Sequence, residues 1–367
     1  MRVLLITNIP SPYRIPLFNY ISNQLLKDGN DFGVWFLSKT EKNRKWRLEY
    51  ENINFKYRIL KGFSYFFPNK DWAFHLNYTI FPDLILYNPD IVIAQYDNIS
   101  GWLGLLYTQI FNKKFILWSG SHLISSEHKS GLIGSLKKFI IKNSHKYITY
   151  GSKATEYLIA FGAQPKNIYT GCNTVDTSYF STKVQQYRKN PEFNANRKKY
   201  PKYMFLYVGQ LIERKNVKLI LEAFYLLDNN DYGLFIIGSG EQEKYLQEYV
   251  NSKNIKNIYF EGYKKKEELI KYYALSNAII LPSYKEVWGL VVNEALACDL
   301  YCLVSKNCGV YYDLIEEDKT GNGFDPNNVQ QLVYLLKSYN NRTISIDKRK
   351  ISISRYGDAF LDAIKSV

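Results

Sequence analysis

The sequence predicts two successive α/β units, each a parallel sheet wound on both faces by helices. Three observations carry this. Apolar strand-like runs alternate with helix-period stretches in both halves, which is the pattern of a doubly wound sheet. A polar, charge-rich segment interrupts the alternation near the middle. The length of 367 residues suits two domains at the usual size of about 100–200 residues each.

The elements follow in order. Arg2–Thr7 is an apolar strand that ends in the turn 8–12, and residues 16–26 have helical period. Further apolar runs at 32–37, Ile91–Ala94, 115–118 and 147–149 read as strands buried on both faces. Residues 181–200, STKVQQYRKNPEFNANRKKY, hold few aliphatics and read as a linker. The alternation then restarts with a strand at Tyr203–Val208, a helix at Val217–Leu227 and a strand at 234–237. A helix at 242–250, a short strand at 258–260 and a helix at Lys266–Leu275 come next. A strand at Ala278–Leu281, a helix at Leu290–Ala297 and a strand at Tyr301–Ser305 complete it. The domains are therefore 1–180 and 201–349, with a cleft expected between two such halves, a common place for a ligand.

Composition narrows the classes. Hydrophobic residues at 46% and charged residues at 22% argue for two ordinary cores and against wholesale disorder. No apolar run reaches the roughly 18 residues of a membrane span. The opening MRVLLITNIPSPYR lacks a small-residue cleavage site and reads as a first strand and turn. Cys172, Cys298, Cys302 and Cys308 match no zinc spacing and read as free thiols of a reducing cytoplasm. The net charge of +14 is uneven. Residues 1–180 hold 21 Lys+Arg against 12 Asp+Glu, residues 181–200 hold 6 against 1, and the remainder holds 21 against 21. The excess suggests an anionic partner for the first half, a membrane surface or nucleic acid, though biased composition would look the same. No zinc-finger or RRM signature favours nucleic acid.

Three segments of the second half carry chemistry. In LPSYKEVWGLVVNEALA, Glu286 and Gly289 lie on a loop after a strand, and Glu294 lies in the helix that follows. Loop and helix N–H groups there can receive a phosphate or sugar oxygen, and Gly289 permits close backbone approach. The two carboxylates can accept from the hydroxyls of a sugar and a ribose. In YVGQLIERKNV, Gly209 makes a turn at the strand end, and Arg214 and Lys215 precede the next helix. Their charges suit a diphosphate leaving group, but a solvated basic turn would read identically. In FIIGSGEQE, Gly238 and Gly240 follow a strand, and a lone G-x-G is often only a turn.

Taken in order, VGQLIERKNVKLILEAF, IIGSGEQEKYL, FEGY, LPSYKEVWGLVVNEALA and NCGVYYDLIEEDKTGNGFDP resemble the donor half of family 4 glycosyltransferases, over about residues 203–326. NIPSPYRIPLFNYI resembles the opening of a bacterial subset of that family. The resemblance implies a GT-B fold with two Rossmann-like domains facing a cleft. The first, 1–180, would bind the acceptor, the second, 201–349, the nucleotide-sugar, and the last helix, 350–367, would return to the first domain.

The resemblance also implies roles. Arg214 and Lys215 would bind the donor diphosphate and Glu286 the donor sugar, with backbone at Trp288, Gly289 and Leu290 nearby. Glu294 would hold the ribose hydroxyls, and Gly262 and Tyr263 would face the base. His122, in LWSGSH, would lie near the transferred sugar, although a loop histidine without a role fits equally. Asp97 and Arg14 are the acceptor-side candidates. The family retains anomeric configuration and usually needs no metal or cofactor, the UDP- or GDP-linked sugar being substrate. The chain has no D-x-D triplet.

Three departures stand out. Gln210 occupies a common arginine position, Asn216 a common glycine position, and the loop 8–14 has Arg14 but no glycine.

The expected function is hexosyl transfer to a saccharide or lipid-linked saccharide in surface glycan synthesis, in the cytoplasm or peripheral to its membrane. A sugar-nucleotide epimerase of the same architecture and a nucleic-acid-binding or -modifying protein are the alternatives. Residues 132–146 read as a basic amphipathic helix, with Leu132, Ile133, Leu136, Phe139 and Ile140 on one face and Lys138, Lys142 and Lys146 on another. Such a helix either lies on an anionic bilayer or packs on its own sheet.

Overall fold

The computed structural model describes residues 1–41, 50–66, 73–123, 131–340, 342, 344 and 346–367, and all their side chains except that of Leu132. The chain divides into two compact units, Met1–Val175 with Ile353–Val367, and Asp176–Ser352.

Among the described residues the first unit has strands β1 (Arg2–Thr7), β2 (Asp31–Phe36), β3 (Lys56–Ile59), β4 (Phe63–Phe66), β5 (Ala73–Leu76), β6 (Ile91–Ala94), β7 (Lys114–Ser119), β8 (Lys146–Thr149) and β9 (Ile168–Thr170). Seven form a parallel sheet in the order β3-β2-β1-β6-β7-β8-β9, while β4 and β5 pair as a separate antiparallel hairpin. β1, β6 and β7 are buried on both faces, as a parallel sheet covered by helices requires. The helix Ile15–Lys27 starts with a proline in its first turn and turns Leu17, Phe18, Ile21 and Leu25 inward.

The last helix, Ile353–Lys365, packs on the helix Ile15–Lys27 and on β8 and β9, burying Tyr356, Phe360 and Ile364 at four-residue spacing. Trp118 Nε1 donates to the Tyr356 hydroxyl at 2.7 Å, so the far end of the chain satisfies a buried polar group of β7.

The second unit has strands β10 (Tyr203–Val208), β11 (Tyr232–Ile237), β12 (Ile258–Gly262), β13 (Ala278–Leu281), β14 (Tyr301–Ser305) and β15 (Gly321–Phe324). All pair in parallel, in the order β12-β11-β10-β13-β14-β15. Both units are doubly wound α/β sheets.

Two sequence readings are corrected here. The segment 181–200 is not a plain linker: Thr177–Arg188 and Phe193–Arg197 are helices of the second unit. Asp176 caps the first by accepting from the Tyr179 N–H at 3.1 Å. Only Phe180 and Val184 of that helix are buried, Phe180 lying edge-on to Tyr273, so its inward stripe is too thin to see as a pattern. The basic helix ends at Lys142, as Gly131–Lys142. Lys146 opens β8, where it donates to Asn167 Oδ1 at 3.2 Å, so the three lysines do not share a helix face. Ile140 and Ile141 face the core, whereas Ile133, Leu136 and Phe139 are exposed. Leu132's side chain lies outside the described residues.

Candidate active site

In each sheet one central strand has its two neighbours arrive from opposite directions of the chain. β1 stands between β2 and β6, and β10 between β11 and β13. The loops leaving such neighbouring strands diverge to opposite faces, which opens a crevice at the carboxyl ends. Residues 209–216 leave β10 and residues 282–289 leave β13, so the reversal sets these two loops side by side.

Their side chains converge. Lys215 Nζ pairs with Glu286 Oε2, and Arg214 Nη1 lies 3.6 Å from the same oxygen. Arg214 Nη1 also donates to the Lys285 carbonyl at 3.3 Å, and the Tyr284 N–H donates to the Arg214 carbonyl at 2.9 Å. The Lys215 and Glu286 side chains are 14% and 16% exposed and that of Arg214 is 37% exposed, so the outer cation is presented to solvent. Two cations on one carboxylate leave a net positive site, suited to an anionic oxygen.

Asn216 explains one departure from the resemblance. Its φ is +53°, in the left-handed region that favours glycine and is tolerated by asparagine. The buried side chain then donates to the Pro282 carbonyl at 3.3 Å and the Pro326 carbonyl at 2.8 Å, tying three loops together.

Gly289 precedes the helix Leu290–Ala297 with φ +114°, and a Cβ there would meet Leu281 Cδ2 at 2.6 Å. The first-turn N–H groups of that helix point toward its N-terminal end, a place for an anionic or hydroxyl oxygen. Leu290 is half-buried, and the Trp288 side chain is buried, its Nε1 donating to Asn293 Oδ1 at 2.9 Å. Trp288 therefore has only backbone to offer a ligand, and its carbonyl already accepts from Val310.

Gly209, Gly238 and Gly262 end or follow β10, β11 and β12, side by side along one edge. A Cβ on Gly238 would stand 1.7 Å from the Gly209 carbonyl oxygen, so close backbone approach demands glycine there. Tyr263 follows with an exposed ring.

Glu294 is not in the Glu286 cluster. It is partly exposed, accepts from the Tyr273 hydroxyl at 2.5 Å, and feels the charge of Lys266. Burial pushes its carboxyl up to about 7, against the opposing pull of Tyr273 and Lys266. Sequence reading missed Tyr273 and Lys266. The available signal was a tyrosine on the inward face of an amphipathic helix, whose hydroxyl needs a partner.

Two of the first-unit candidates, Arg14 and Asp97, follow β1 and β6 at the corresponding reversal. Arg14 donates to Thr7 Oγ1 at 2.8 Å and to the Tyr150 hydroxyl at 2.9 Å, and lies over the Trp118 ring at 4.6 Å. Gln95 also donates to Tyr150, and exposed Asp97 lies within electrostatic reach of Arg14. His122 is buried in the loop after β7.

A family model described as "Glycosyl transferases group 1" matches residues 188–351, nearly the whole second unit. An uncharacterized glycosyltransferase of Methanocaldococcus jannaschii is 28% identical over 253 residues, 65% of this chain and 61% of that protein. The chain thus spans about three fifths of the length of that relative. Among solved structures, HepE of Anabaena in complex with UDP superposes with a TM-score of 0.73 at 12% identity, over 100% of both chains. The lipopolysaccharide outer core galactosyltransferase WaaB gives 0.69 at 19% identity, over 100% of this chain and 99% of that one. The second unit is thus similar in sequence to the group 1 glycosyl transferases, and the whole chain has a fold of the GT-B type.

Proposed function

We propose that the protein is a retaining, metal-independent hexosyltransferase that moves a sugar from a UDP- or GDP-linked donor to a saccharide or lipid-linked saccharide of a surface glycan. The observation that carries this reading is the convergence of Arg214, Lys215 and Glu286 at the carboxyl ends of β10 and β13. The bond from the anomeric carbon to the diphosphate breaks as the acceptor oxygen attacks on the same face. The acceptor's proton leaves with the diphosphate. Arg214, Lys215 and the N-terminus of the helix Leu290–Ala297 stabilise the departing charge, which is the largest task such a site performs. Glu286 orients the sugar and Glu294 the ribose, Tyr263 faces the base, and His122, Arg14 and Asp97 serve the acceptor side. The UDP held by HepE supports a nucleotide donor.

The proposed place of work is the cytoplasmic face of an anionic membrane. Ile133, Leu136 and Phe139, exposed beside Lys138 and Lys142, and the positive charge of the first half support this. Among the described residues no helix is long and apolar enough to cross a membrane.

The test is a panel of UDP- and GDP-sugars, screened for binding and then for nucleotide release with and without saccharide acceptors. Acceptor-dependent release and a product of retained anomeric configuration are expected. Conversion of the donor without any acceptor would instead identify an epimerase.

A further inference from the structure

Tyr273 lies in the helix Lys266–Leu275, and its ring is fully buried, at 0% exposure. Phe180 packs edge-on against that ring at 5.7 Å, and Arg188 donates to the carbonyls of Tyr273 and Ala274 at 3.5 and 3.4 Å. The phenol O–H donates to Glu294 Oε2 at 2.5 Å, a charge-assisted geometry. Among the described residues Oε1 of the same carboxylate accepts no hydrogen bond, while the Glu294 side chain reaches solvent. Phenylalanine would fill this space equally well, and a buried hydroxyl costs free energy unless it is bonded. What the hydroxyl adds is the orientation and ionisation of one carboxylate.

We propose that Tyr273 is a positioning residue of the donor site, whose hydroxyl engages Oε2 of Glu294 and so leaves Oε1, ionised and oriented, to accept from the ribose hydroxyls of the nucleotide. This rests on the reading of Glu294 as the ribose acceptor. The charged and titratable groups around the pair are few. Lys266, on the same helix as Tyr273, favours the carboxylate. Cys298, one turn beyond Glu294, and Cys302 of β14 both face Tyr273, with Arg188 acting on Cys298 from the helix Thr177–Arg188. The Tyr273 bond opposes the burial that pushes the Glu294 carboxyl up to about 7, so its loss drives that carboxyl further toward the protonated form.

The experiment is calorimetric titration of the full chain with UDP and GDP, each alongside its 2′,3′-dideoxy analogue, from pH 6 to pH 9. In the unaltered protein the better nucleotide should bind more tightly as pH rises through about 7, and the dideoxy analogue should show no such rise. Tyr273→Phe should weaken binding at pH 7 by about fivefold to tenfold and displace the pH midpoint upward. Affinity should recover in part above pH 8.5, with dideoxy binding unchanged. Incorporation of 3,5-difluorotyrosine at position 273, a stronger donor in the same space, should displace the midpoint downward. An unmoved midpoint in both variants would overturn the inference, even if affinity falls. Glu294→Gln tests the underlying reading separately. If it keeps full preference for ribose over dideoxyribose, or if neither nucleotide binds the unaltered protein, the ribose assignment fails and the inference with it.

Discussion

The guanidinium of Arg214 lies 3.6 Å from the Glu286 carboxylate, across a separation of more than seventy positions in sequence. Lys215 holds the same oxygen, so the cluster carries one positive charge in excess.

That excess makes a first prediction. Arg214→Ala should weaken UDP or GDP binding about tenfold or more, since a hydrogen bond to a charged group contributes about 1.5–3 kcal/mol. The dideoxy and ordinary nucleotides should suffer equally, because the loss is at the diphosphate. Calorimetry on the folded variant checks it, and unaltered affinity would remove Arg214 from the site.

Turnover should persist in excess EDTA. The proposed charge stabilisation comes from Arg214, Lys215 and a helix N-terminus, none of which a chelator removes. A nucleotide-release assay with and without EDTA measures this. Complete loss rescued by magnesium or manganese would replace the mechanism.

Glu294 makes a prediction about stability. Its carboxyl is raised from 4.5 to about 7, so the folded state binds the proton more tightly than the unfolded state does. The resulting stabilisation is fully present below pH 4.5 and is lost as pH rises through about 7. Glu294→Gln removes this dependence. It should be more stable than the parent at pH 8, by at most about 3 kcal/mol, and nearly equal to it at pH 4. Denaturant titrations at the two pH values decide it.

Asn216 should be one of the less replaceable residues of the loop. Asn216→Ala loses the bonds to Pro282 and Pro326 and places a β-carbon at φ +53°, so a loss of about 2–4 kcal/mol is expected. Asn216→Gly keeps the backbone conformation and should lose only about 1–2 kcal/mol. Equal effects in thermal unfolding would show that the backbone conformation is not what matters.

For the membrane reading, the revised surface is Lys138 and Lys142 with Ile133, Leu136 and Phe139. Each lysine near an anionic bilayer contributes about 1 kcal/mol. The double Lys→Glu change at 138 and 142 should therefore weaken binding to anionic vesicles by tenfold or more, while Lys146→Glu, in β8, should not. Cosedimentation at two salt concentrations measures this. Equal binding to neutral and anionic vesicles would return the helix to an ordinary surface element.

The sequence by itself determined the two doubly wound units and, through five ordered motifs, the second unit's likeness to the group 1 glycosyl transferases. Strands such as Tyr203–Val208 and Ala278–Leu281 are continuous apolar runs, which only burial on both faces of a parallel sheet explains. The motif residues were legible because their chemistry sits on loops next to those strands. The hairpin of β4 and β5, the edge strands β3, β9 and β15, and the helix Thr177–Arg188 were not legible. Each is short, or buries too few positions for its period to rise above chance.

Only the tertiary structure decided which residues meet. Strand order sets the loop after β10 beside the loop after β13, which brings Arg214 and Lys215 onto Glu286 and leaves Glu294 to Tyr273. The same folding took Lys146 out of a helix face and into β8, and gave Asn216 the left-handed backbone conformation that favours glycine. The physical reason is the same in each case. Periodicity reports which side of one segment is buried, whereas hydrogen bonds and ion pairs depend on distances between segments, and those exist only once the sheet order is set.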